Sequence, residues 1–292
     1  MTHLQEKEFK ILEKFIQVCE ELKLDYFLVC GSALGAVKYG GFIPWDDDID
    51  VALFRDDYNR FINEAPILLP PNLFLQNCHS EEKFPTIYSK LRDSETTFIE
   101  KSAKFLPINH GIYIDVFPLD GYPKGKIERS VFEIKKKIHT ILISSAYDVP
   151  SSWKHKLLKE TCKFIGVDKN TQIVAKSYEK FISKYPVDGS DIICNHGNWQ
   201  GKLEYSPKWH YGNGTMMKFE SLDVRVPENY DAYLTQKYGD WRADLPEEQK
   251  CGHHYYAVCD LNRPYTDYIE KLSNEKIKIK RPKELDEKTL GT

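Results

Sequence analysis

The chain lacks the features that mark membrane-spanning, disulfide-rich and nucleic-acid-binding proteins. Its most apolar stretches, Tyr26–Cys30 and Ile138–Ala146, are far shorter than the roughly 20 residues that cross a bilayer. The seven cysteines are scattered, odd in number and form no CxxC pair, which is typical of a reducing compartment. Positive charge is not in excess, since 41 Lys and Arg residues stand against 44 Asp and Glu residues.

A signal peptide is also missing from the first residues, because Met1–Leu22 is charged throughout and has no apolar core. These absences predict a cytoplasmic protein with no transmembrane segment and no nucleic-acid partner. The remaining composition is that of an ordinary globular protein, with 292 residues, 41% hydrophobic and 29% charged. Such a chain forms one large domain or two modest ones.

Hydrophobic periodicity predicts an α+β fold. The predicted helices are Leu4–Leu22, Ala33–Tyr39, Asp56–Glu64 and Glu228–Tyr238, with three more between Ile127 and Tyr185 that are separated near Pro150 and Gly166–Asn170. The predicted strands are Tyr26–Cys30, Asp48–Phe54, Leu73–Cys78, Thr86–Leu91, Thr96–Ile99, Ile112–Phe117, Ile192–Asn195 and Phe219–Val226. We expect a mixed-sheet core over residues 1–123, a mostly helical region over 124–270 and a charged tail over 271–292.

Two aspartates share one face of the second predicted strand. Because strand residues alternate between faces, Asp48 and Asp50 lie together while Ile49 and Val51 point to the core. Carboxylates about 7 Å apart on a strand can hold the same hard cation, and Mg²⁺ prefers oxygen ligands. The run Asp46–Asp48 is also typical of a solvated acidic turn, and this alternative stays open for its first two members.

A Gly-Ser pair stands between the first strand and a short helix, for which Ser32 is the predicted N-cap. Backbone N–H groups at a helix N-terminus favour an anion, and Gly31 lets a phosphate approach closely. Such pairs are also common turn formers. The spacing is more informative, since the 15 residues between Ser32 and Asp48 hold a helix and a loop and so predict that the two strands are neighbours.

A third aspartate lies in the strand Ile112–Phe117. Asp115 points to the face opposite Ile112, Ile114 and Val116. A lone aspartate in a strand is also typical of an edge position. If this strand neighbours the one that carries Asp50, the three carboxylates form one metal site.

These motifs together resemble the LicD family, which includes bacterial phosphocholine transferases and has the fukutin-related proteins as distant relatives. The most specific strings are Ile-Pro-Trp-Asp-Asp-Asp-Ile-Asp at residues 43–50 and Gly-Ser-Ala-Leu-Gly-Ala-Val-Lys at residues 31–38. Residues 88–93, 114–120, 227–231 and 238–241 match as well. The resemblance implies a nucleotidyltransferase-like mixed-sheet core in which the first region is catalytic and the second completes the site and binds the acceptor.

The resemblance also implies roles for individual residues. Asp48, Asp50 and Asp115 are expected to be catalytic and to bind Mg²⁺ or Mn²⁺, with two ions in the site. The residues expected to bind donor phosphate are Gly31, Ser32, Lys38, Lys90 and Arg92. A solvated strand face is an equally open alternative for Lys90 and Arg92. Further candidate substrate contacts are Trp45, Asp47, Tyr113, His253 and His254, and the spacing of the two histidines from Cys251 suits no standard zinc site.

The implied reaction is transfer of a phosphorylated group, with phosphocholine from CDP-choline as the first choice, to a sugar hydroxyl with release of CMP. The implied acceptor is a cell-surface glycan such as lipopolysaccharide, teichoic acid or capsule, or its lipid-linked precursor. Three alternatives stay open: transfer of glycerol or ribitol phosphate from another CDP donor, NMP transfer from an NTP, and a non-catalytic glycan-binding role. A lipid-linked acceptor implies transient visits to the inner face of the membrane, although no amphipathic anchor is evident from the sequence.

Overall fold

The computed structural model describes residues 1–145, 160–161, 170–197, 201–252 and 254–272. Its helices are α1 (His3–Leu22), α2 (Cys30–Tyr39), α3 (Arg55–Glu64), α4 (Lys126–Ser144), α5 (Thr171–Ile182), α6 (Tyr230–Tyr238) and α7 (Thr266–Leu272). Its strands are β1 (Tyr26–Leu28), β2 (Asp50–Phe54), β3 (Leu73–Gln76), β4 (Ser89–Asp93), β5 (Thr97–Glu100), β6 (Ile112–Gly121), β7 (Ile192–Asn195), β8 (Tyr205–Pro207), β9 (Thr215–Phe219), β10 (Leu222–Val226) and β11 (Tyr256–Asp260). The predicted α+β class is confirmed.

A mixed seven-stranded sheet forms the centre of the described structure. Its main path runs β1-β2-β6-β4-β3, with β7 added beside β6 and β8 beside β7. Only the β2–β6 pair of this sheet is parallel, and its other pairs are antiparallel. Strand β6 is buried along its whole length, as expected for a strand that pairs with three neighbours.

Helix α1 covers the sheet and begins at a capping box. The Thr2 hydroxyl accepts a hydrogen bond from the Gln5 backbone N–H, and the Gln5 side chain accepts one from the Thr2 N–H. The buried face of the helix carries residues at steps of three and four, including Leu12, Phe15 and Cys19. This face packs into the main hydrophobic core.

Residues beyond position 123 share that core. Phe219, Val224 and Leu234 belong to the same buried cluster as the strands β1, β2 and β6. The region predicted to be mostly helical, residues 124–270, contributes helices α4–α7 and also the five strands β7–β11. The division of the chain at residue 123 stays a prediction.

Several predicted elements differ from the structure at their ends. Helix α2 begins at Cys30 with Val29 as its N-cap, so the prediction that Ser32 is the N-cap is wrong. The predicted strand Phe219–Val226 spans the last residue of β9, a turn at Glu220, whose φ of 54° is left-handed, and all of β10. The predicted breaks near Pro150 and at 166–169 and the tail beyond residue 272 lie outside the described residues. Among the described helices, none combines the length and apolarity that crossing a bilayer requires.

Candidate active site

The register of the sheet places Asp50 and Asp115 side by side. Strands β2 and β6 run parallel, and the Cα atoms of these two residues are direct partners. The Asp115 N–H donates to the carbonyl oxygen of Ile49 at 2.8 Å, which fixes this register next to the site. Both side chains lie on the buried surface of the sheet. The condition stated for a shared site, that these two strands are neighbours, is met, and the predicted pairing of the first two strands, β1 and β2, is confirmed.

Asp47 and Asp48 lie in the loop that enters β2, and His254 contacts both. The His254 backbone N–H donates to Oδ2 of Asp47 at 3.1 Å, and its Nδ1 lies 3.1 Å from Oδ1 of the same carboxylate. Its Nε2 lies 3.8 Å from Oδ2 of Asp48. One ligand atom from each of the three residues falls within 4.8 Å of the others. Residues separated by about 200 positions thus form one group.

The loop itself is held by α1. The Gln5 side-chain amide donates to the carbonyl oxygens of Ile43 at 3.2 Å and Asp46 at 3.0 Å. Gln5 is buried, so these bonds lie within the protein and are shielded from competing water. The first helix therefore positions the aspartate loop from the side opposite the strands.

Burial first, and then neighbouring charges, raise the pKa of the carboxylates in the cluster. Burial is the main cause of the raised pKa of Asp50, followed by the charges of Asp48 and Asp115. Burial also raises the pKa of Asp46, and Asp48 adds to it. For Asp115, burial raises the pKa and the ammonium group of Lys90 partly offsets that effect. A buried group of mutually repelling carboxylates is an environment that a bound cation stabilises.

Lys90 supplies the nearest fixed positive charge. On β4 it is the register partner of Asp115, and its Nζ lies 3.0 Å from Oδ1 of that carboxylate and 3.5 Å from Oε2 of Glu100. Burial opposes ionisation of Glu100, but Lys90 and Arg92 lower the pKa of this group to about 2. The site therefore contains a lysine within an acidic surrounding.

Arg92, also predicted as a phosphate contact, is fully buried away from any open surface. Its guanidinium donates to Oε1 of Gln76 at 2.5 Å and to the carbonyl oxygen of Gly111 at 2.6 Å, and it lies 3.4 Å from Glu100. These contacts join β3, β4 and the start of β6. Lys90 and Arg92 thus have different surroundings although they share a strand face.

The Gly-Ser pair lies at the beginning of α2, against the aspartate loop. The Ser32 hydroxyl accepts the backbone N–H of Asp50 at 2.8 Å, so it fixes the first residue of β2. A Cβ on Gly31 would lie 2.8 Å from Oδ2 of Asp46, so only glycine fits here without displacement of that carboxylate. Val29, the N-cap residue, makes no side-chain hydrogen bond to the helix, and the end of a helix where backbone N–H groups point outward favours an anion.

Cys30, the first residue of α2, has a φ of 52°. This left-handed conformation costs a non-glycine residue about 1–2 kcal/mol. The Cys30 N–H donates to the hydroxyl of Tyr233 at 3.0 Å, which helps to hold the turn. Glycine, which has no Cβ, would adopt this conformation without that cost.

The other predicted contacts are not all brought to the carboxylates. The Nζ atom of Lys38 is bound by the carbonyl oxygens of residues 241–243, at distances from 2.8 to 3.4 Å. Trp45 is half-buried beside the ring of Tyr39, whereas Tyr113 is buried with His254 at its edge. His253 lies outside the described residues.

Glu8 is a site neighbour that sequence reasoning missed. Its carboxyl group is buried under the aspartate loop, and its pKa is raised by burial first and then by the charges of Asp48 and Asp47. Its Oε2 has no hydrogen-bond partner among the described residues. The available signal was its position in the apolar stripe of α1, four residues before Leu12.

The residues present fit a divalent metal ion. The group whose ligand atoms lie within 4.8 Å of one another is Asp47, Asp48 and His254. Asp50 and Asp115, register partners on β2 and β6, add carboxylate oxygens, which are the donors that Mg²⁺ prefers. A second group of possible ligands, Cys78, His79 and Glu179, lies in a different part of the described structure. There the His79 Nε2 and Glu179 Oε2 atoms are already hydrogen-bonded to each other at 2.6 Å.

Comparison with known proteins agrees with this geometry. Residues 23–139 match the model of a family described as LicD/FKTN/FKRP, nucleotidyltransferase domain. The chain is also 28% identical, over 265 residues, to the lipopolysaccharide cholinephosphotransferase LicD of Haemophilus influenzae. That similarity covers 84% of this chain and 92% of the relative. The matched segment contains the Gly-Ser turn, the aspartate loop, β2, β4 and β6. The resemblance of this chain to the LicD family, first seen in its motifs, is thereby confirmed.

Proposed function

We propose that this protein is a metal-dependent phosphotransferase that moves phosphocholine from CDP-choline to a sugar hydroxyl of a cell-surface glycan or its lipid-linked precursor, with release of CMP. The observation that carries the proposal is the pairing of Asp50 with Asp115, close enough to Asp48 for its charge to raise the pKa of Asp50, beside the N-terminus of α2. The relative from Haemophilus influenzae, named as a lipopolysaccharide cholinephosphotransferase, supports the choice of group and acceptor.

Asp50 and Asp115 are the proposed core of the metal site, with Asp48 as a third ligand. One or two Mg²⁺ or Mn²⁺ ions bound there would offset phosphate charge and lower the pKa of the attacking hydroxyl. The burial of Asp50 and Asp115 supports this assignment, because burial is the main cause of their raised pKa and a bound cation offsets the cost of burying two ionised carboxylates. The Ser32 hydroxyl and Gln5 act as positioning groups for β2 and for the loop.

The donor phosphates are proposed to lie at the beginning of α2. Gly31 gives close access to the backbone there, whereas the Ser32 hydroxyl is already used by Asp50. Lys90 is placed to balance charge next to Asp115 as the leaving CMP gains negative charge. Lys38 and Arg92 have protein partners instead, so the proposal gives them structural roles.

In the proposed step, the acceptor oxygen attacks the phosphorus that carries choline. A new oxygen–phosphorus bond forms as the bond from that phosphorus to the CMP oxygen breaks, and CMP leaves with the bonding electron pair. The hydroxyl proton passes to a carboxylate, for which Asp115 is the candidate because it lies beside Asp50 in the register of β2 and β6.

Trp45 is the proposed contact for the quaternary ammonium of choline. Its ring is half-buried and has the Lys250 ammonium 5.3 Å from its centroid, so a cation already lies near this ring. The ring of Tyr113 is less suitable because it is buried, and the cations near its centroid, Lys90 at 3.4 Å and Arg92 at 4.5 Å, are buried with it. Choline would take the place of the Lys250 ammonium group, which is also paired with Glu247.

The proposal is tested by CMP release from a donor panel in the presence and absence of Mg²⁺ or Mn²⁺. The panel contains CDP-choline, CDP-glycerol, CDP-ribitol, CTP and ATP, and the acceptor is glycan extracted from the source cells. Asp50→Asn with Asp115→Asn is the inactive variant, and Asp223→Asn, at an exposed hairpin position, is the matched control. We expect metal-dependent CMP release from CDP-choline in the wild-type and control proteins and its loss in the double variant.

Other outcomes identify the alternatives. Release of CMP from CDP-glycerol or CDP-ribitol alone would replace phosphocholine as the group transferred. Pyrophosphate release from CTP or ATP would indicate NMP transfer, and glycan binding without binding of any donor would indicate a non-catalytic protein. Trp45→Ala should raise the KM for CDP-choline about tenfold and change kcat less, since it removes a cation–π contact of about 1–2 kcal/mol.

A further inference from the structure

Helix α4 presents an apolar stripe to solvent. Ile127, Val131, Ile134 and Ile138 are spaced by four, three and four residues, which places them on one face of the helix. These side chains are 83%, 47%, 63% and 51% exposed, respectively. Isolated exposed apolar residues are common, but four in a line along one helix form a continuous surface that marks an interaction site.

The opposite face of α4 is anchored to the protein, so the stripe cannot turn inward. Phe132 is buried, and its ring packs against those of Phe181 at 4.8 Å and Tyr122 at 5.5 Å. Lys136 donates to the hydroxyl of Tyr205 at 2.8 Å, and that hydroxyl donates to Glu133 at 2.5 Å. The orientation of the stripe is therefore set by contacts on the inner side of the helix.

Positive charge borders the stripe on both sides. At about 100° per residue, the exposed Lys135 lies on one flank and the exposed Lys137 on the other. The helix carries five basic and two acidic residues, a net charge of +3, on a chain whose net charge is −3. An apolar line between lysines is the pattern of helices that lie in the plane of an anionic membrane surface.

We infer that α4 docks the protein on an anionic lipid surface, with its stripe of Ile127, Val131, Ile134 and Ile138 in the headgroup region and the flanking lysines on lipid phosphates. A bilayer fits better than a protein partner because the stripe is one side chain wide on a helix about 28 Å long, which offers less area than the about 800 Å² per partner of a standard protein interface. The inference goes beyond the proposed reaction and depends only on this helix face.

Vesicle flotation of the full chain tests the inference. The probes are phosphatidylcholine vesicles with and without phosphatidylglycerol, and the variant is Ile134→Glu with Ile138→Glu. We expect the wild-type protein to bind the anionic vesicles and the variant to bind them at least about tenfold more weakly, since it replaces two inserted apolar side chains with charges. Ile67→Glu is the matched control because Ile67 is 85% exposed outside α4, and its binding should equal that of the wild type.

A second variant isolates the electrostatic part. Lys135→Gln with Lys137→Gln should reduce binding to anionic vesicles by roughly fivefold for each lysine and leave binding to phosphatidylcholine unchanged. Wild-type binding should also weaken as salt rises from about 0.1 M to about 1 M, because the Debye length falls from about 10 Å to about 3 Å.

Three outcomes would overturn the inference. One is failure of the wild-type protein to float with anionic vesicles, and another is an equal loss of binding in Ile67→Glu. The third is a shift from dimer to monomer, or a lowered thermal midpoint, in Ile134→Glu/Ile138→Glu, which would mean that protein covers the stripe. CMP release from soluble donors should be the same in this variant and the wild type, so failure of the reaction and failure of lipid docking are separate results.

Discussion

Replacement of Asp120 by asparagine is expected to lower the free energy of unfolding by about 3–5 kcal/mol. Asp120, at the end of β6, receives two hydrogen bonds from Arg55 at the beginning of α3, from Nε to Oδ1 and from Nη2 to Oδ2, each 2.7 Å long. The two side chains are 0% and 6% exposed. Asparagine keeps the volume but removes the charge and one acceptor, which leaves the buried guanidinium without the closer of its two carboxylate partners.

The size of this effect follows from the surroundings of Arg55. Burial alone lowers the pKa of the guanidinium, and the charge and hydrogen bonds of Asp120 more than reverse that effect. The remaining carboxylate partner, Glu179, lies 3.4 Å from Nη1 and also binds His79, so it cannot take over both bonds. The cost is thus mainly that of an uncompensated buried charge and not of a lost surface contact.

Urea denaturation followed by far-ultraviolet circular dichroism measures the change, with Asp188→Asn as the matched control. Asp188 is fully exposed beside Lys208, so its replacement should change the free energy of unfolding by less than about 0.5 kcal/mol. The double variant Arg55→Met/Asp120→Leu removes both charges and should be more stable than Asp120→Asn. A free energy for Asp120→Asn within about 1 kcal/mol of the wild type would refute the reasoning, as would a double variant as unstable as the sum of its two single changes.

Three further predictions concern the site and its supports. Ser32→Ala should lower the free energy of unfolding, measured by thermal denaturation, by about 1–3 kcal/mol, because it leaves the buried N–H of Asp50 without its acceptor. The rate of CMP release should fall as well, and an unchanged rate would contradict the positioning role of Ser32. The free energy of unfolding in urea should be about 1–2 kcal/mol higher for Cys30→Gly than for Cys30→Ala, since both lose the thiol but only glycine adopts the left-handed φ without cost. Equal urea midpoints for the two variants would contradict this. Burial and then Arg92 lower the pKa of His110 from 6.5 to about 4, so the unfolded chain takes up this proton first as the pH falls. Stability should therefore decline between pH 6.5 and pH 4, by about 2 kcal/mol at pH 5 for this residue, and His110→Gln should flatten the decline in urea titrations; an equal slope in the variant would count against the buried neutral histidine.

Local patterns predicted the parts of the site that depend on short-range alternation. The order of strand, short helix, loop and strand around Gly31 and Asp50 agrees with the structure, because apolar runs and glycine breaks are local signals. The same alternation placed the start of the second strand two residues too early. The strand β2 begins at Asp50, and Asp48 lies in the preceding loop. No residue type marks that boundary, because the sequence alternates on both sides of it.

Long-range contacts explain most of what the sequence could not predict. Lys38 lies in a motif that suggests phosphate binding, yet its ammonium group is held by carbonyl oxygens more than 200 residues away. The β9–β10 hairpin turns at Glu220, without the glycine or asparagine that usually takes a left-handed φ. The predicted strand therefore ran through this turn. His254 contacts Asp47 although the two residues are far apart in the chain, and sequence patterns do not reveal which distant loop folds over the site.

The parallel pairing of β2 with β6 also sets where the chain can change in length. Asp50 and Asp115 are separated by 64 intervening residues, and the connector Pro66–Asn72 between them has no buried residue. Insertions in this connector leave both strands in place, since a surface loop tolerates added length at small entropic cost. Deletion of one residue inside β2 or β6 instead turns a carboxylate to the opposite face of the sheet. Relatives are therefore expected to vary in the connector, and a gap within either strand identifies a relative that has lost this site.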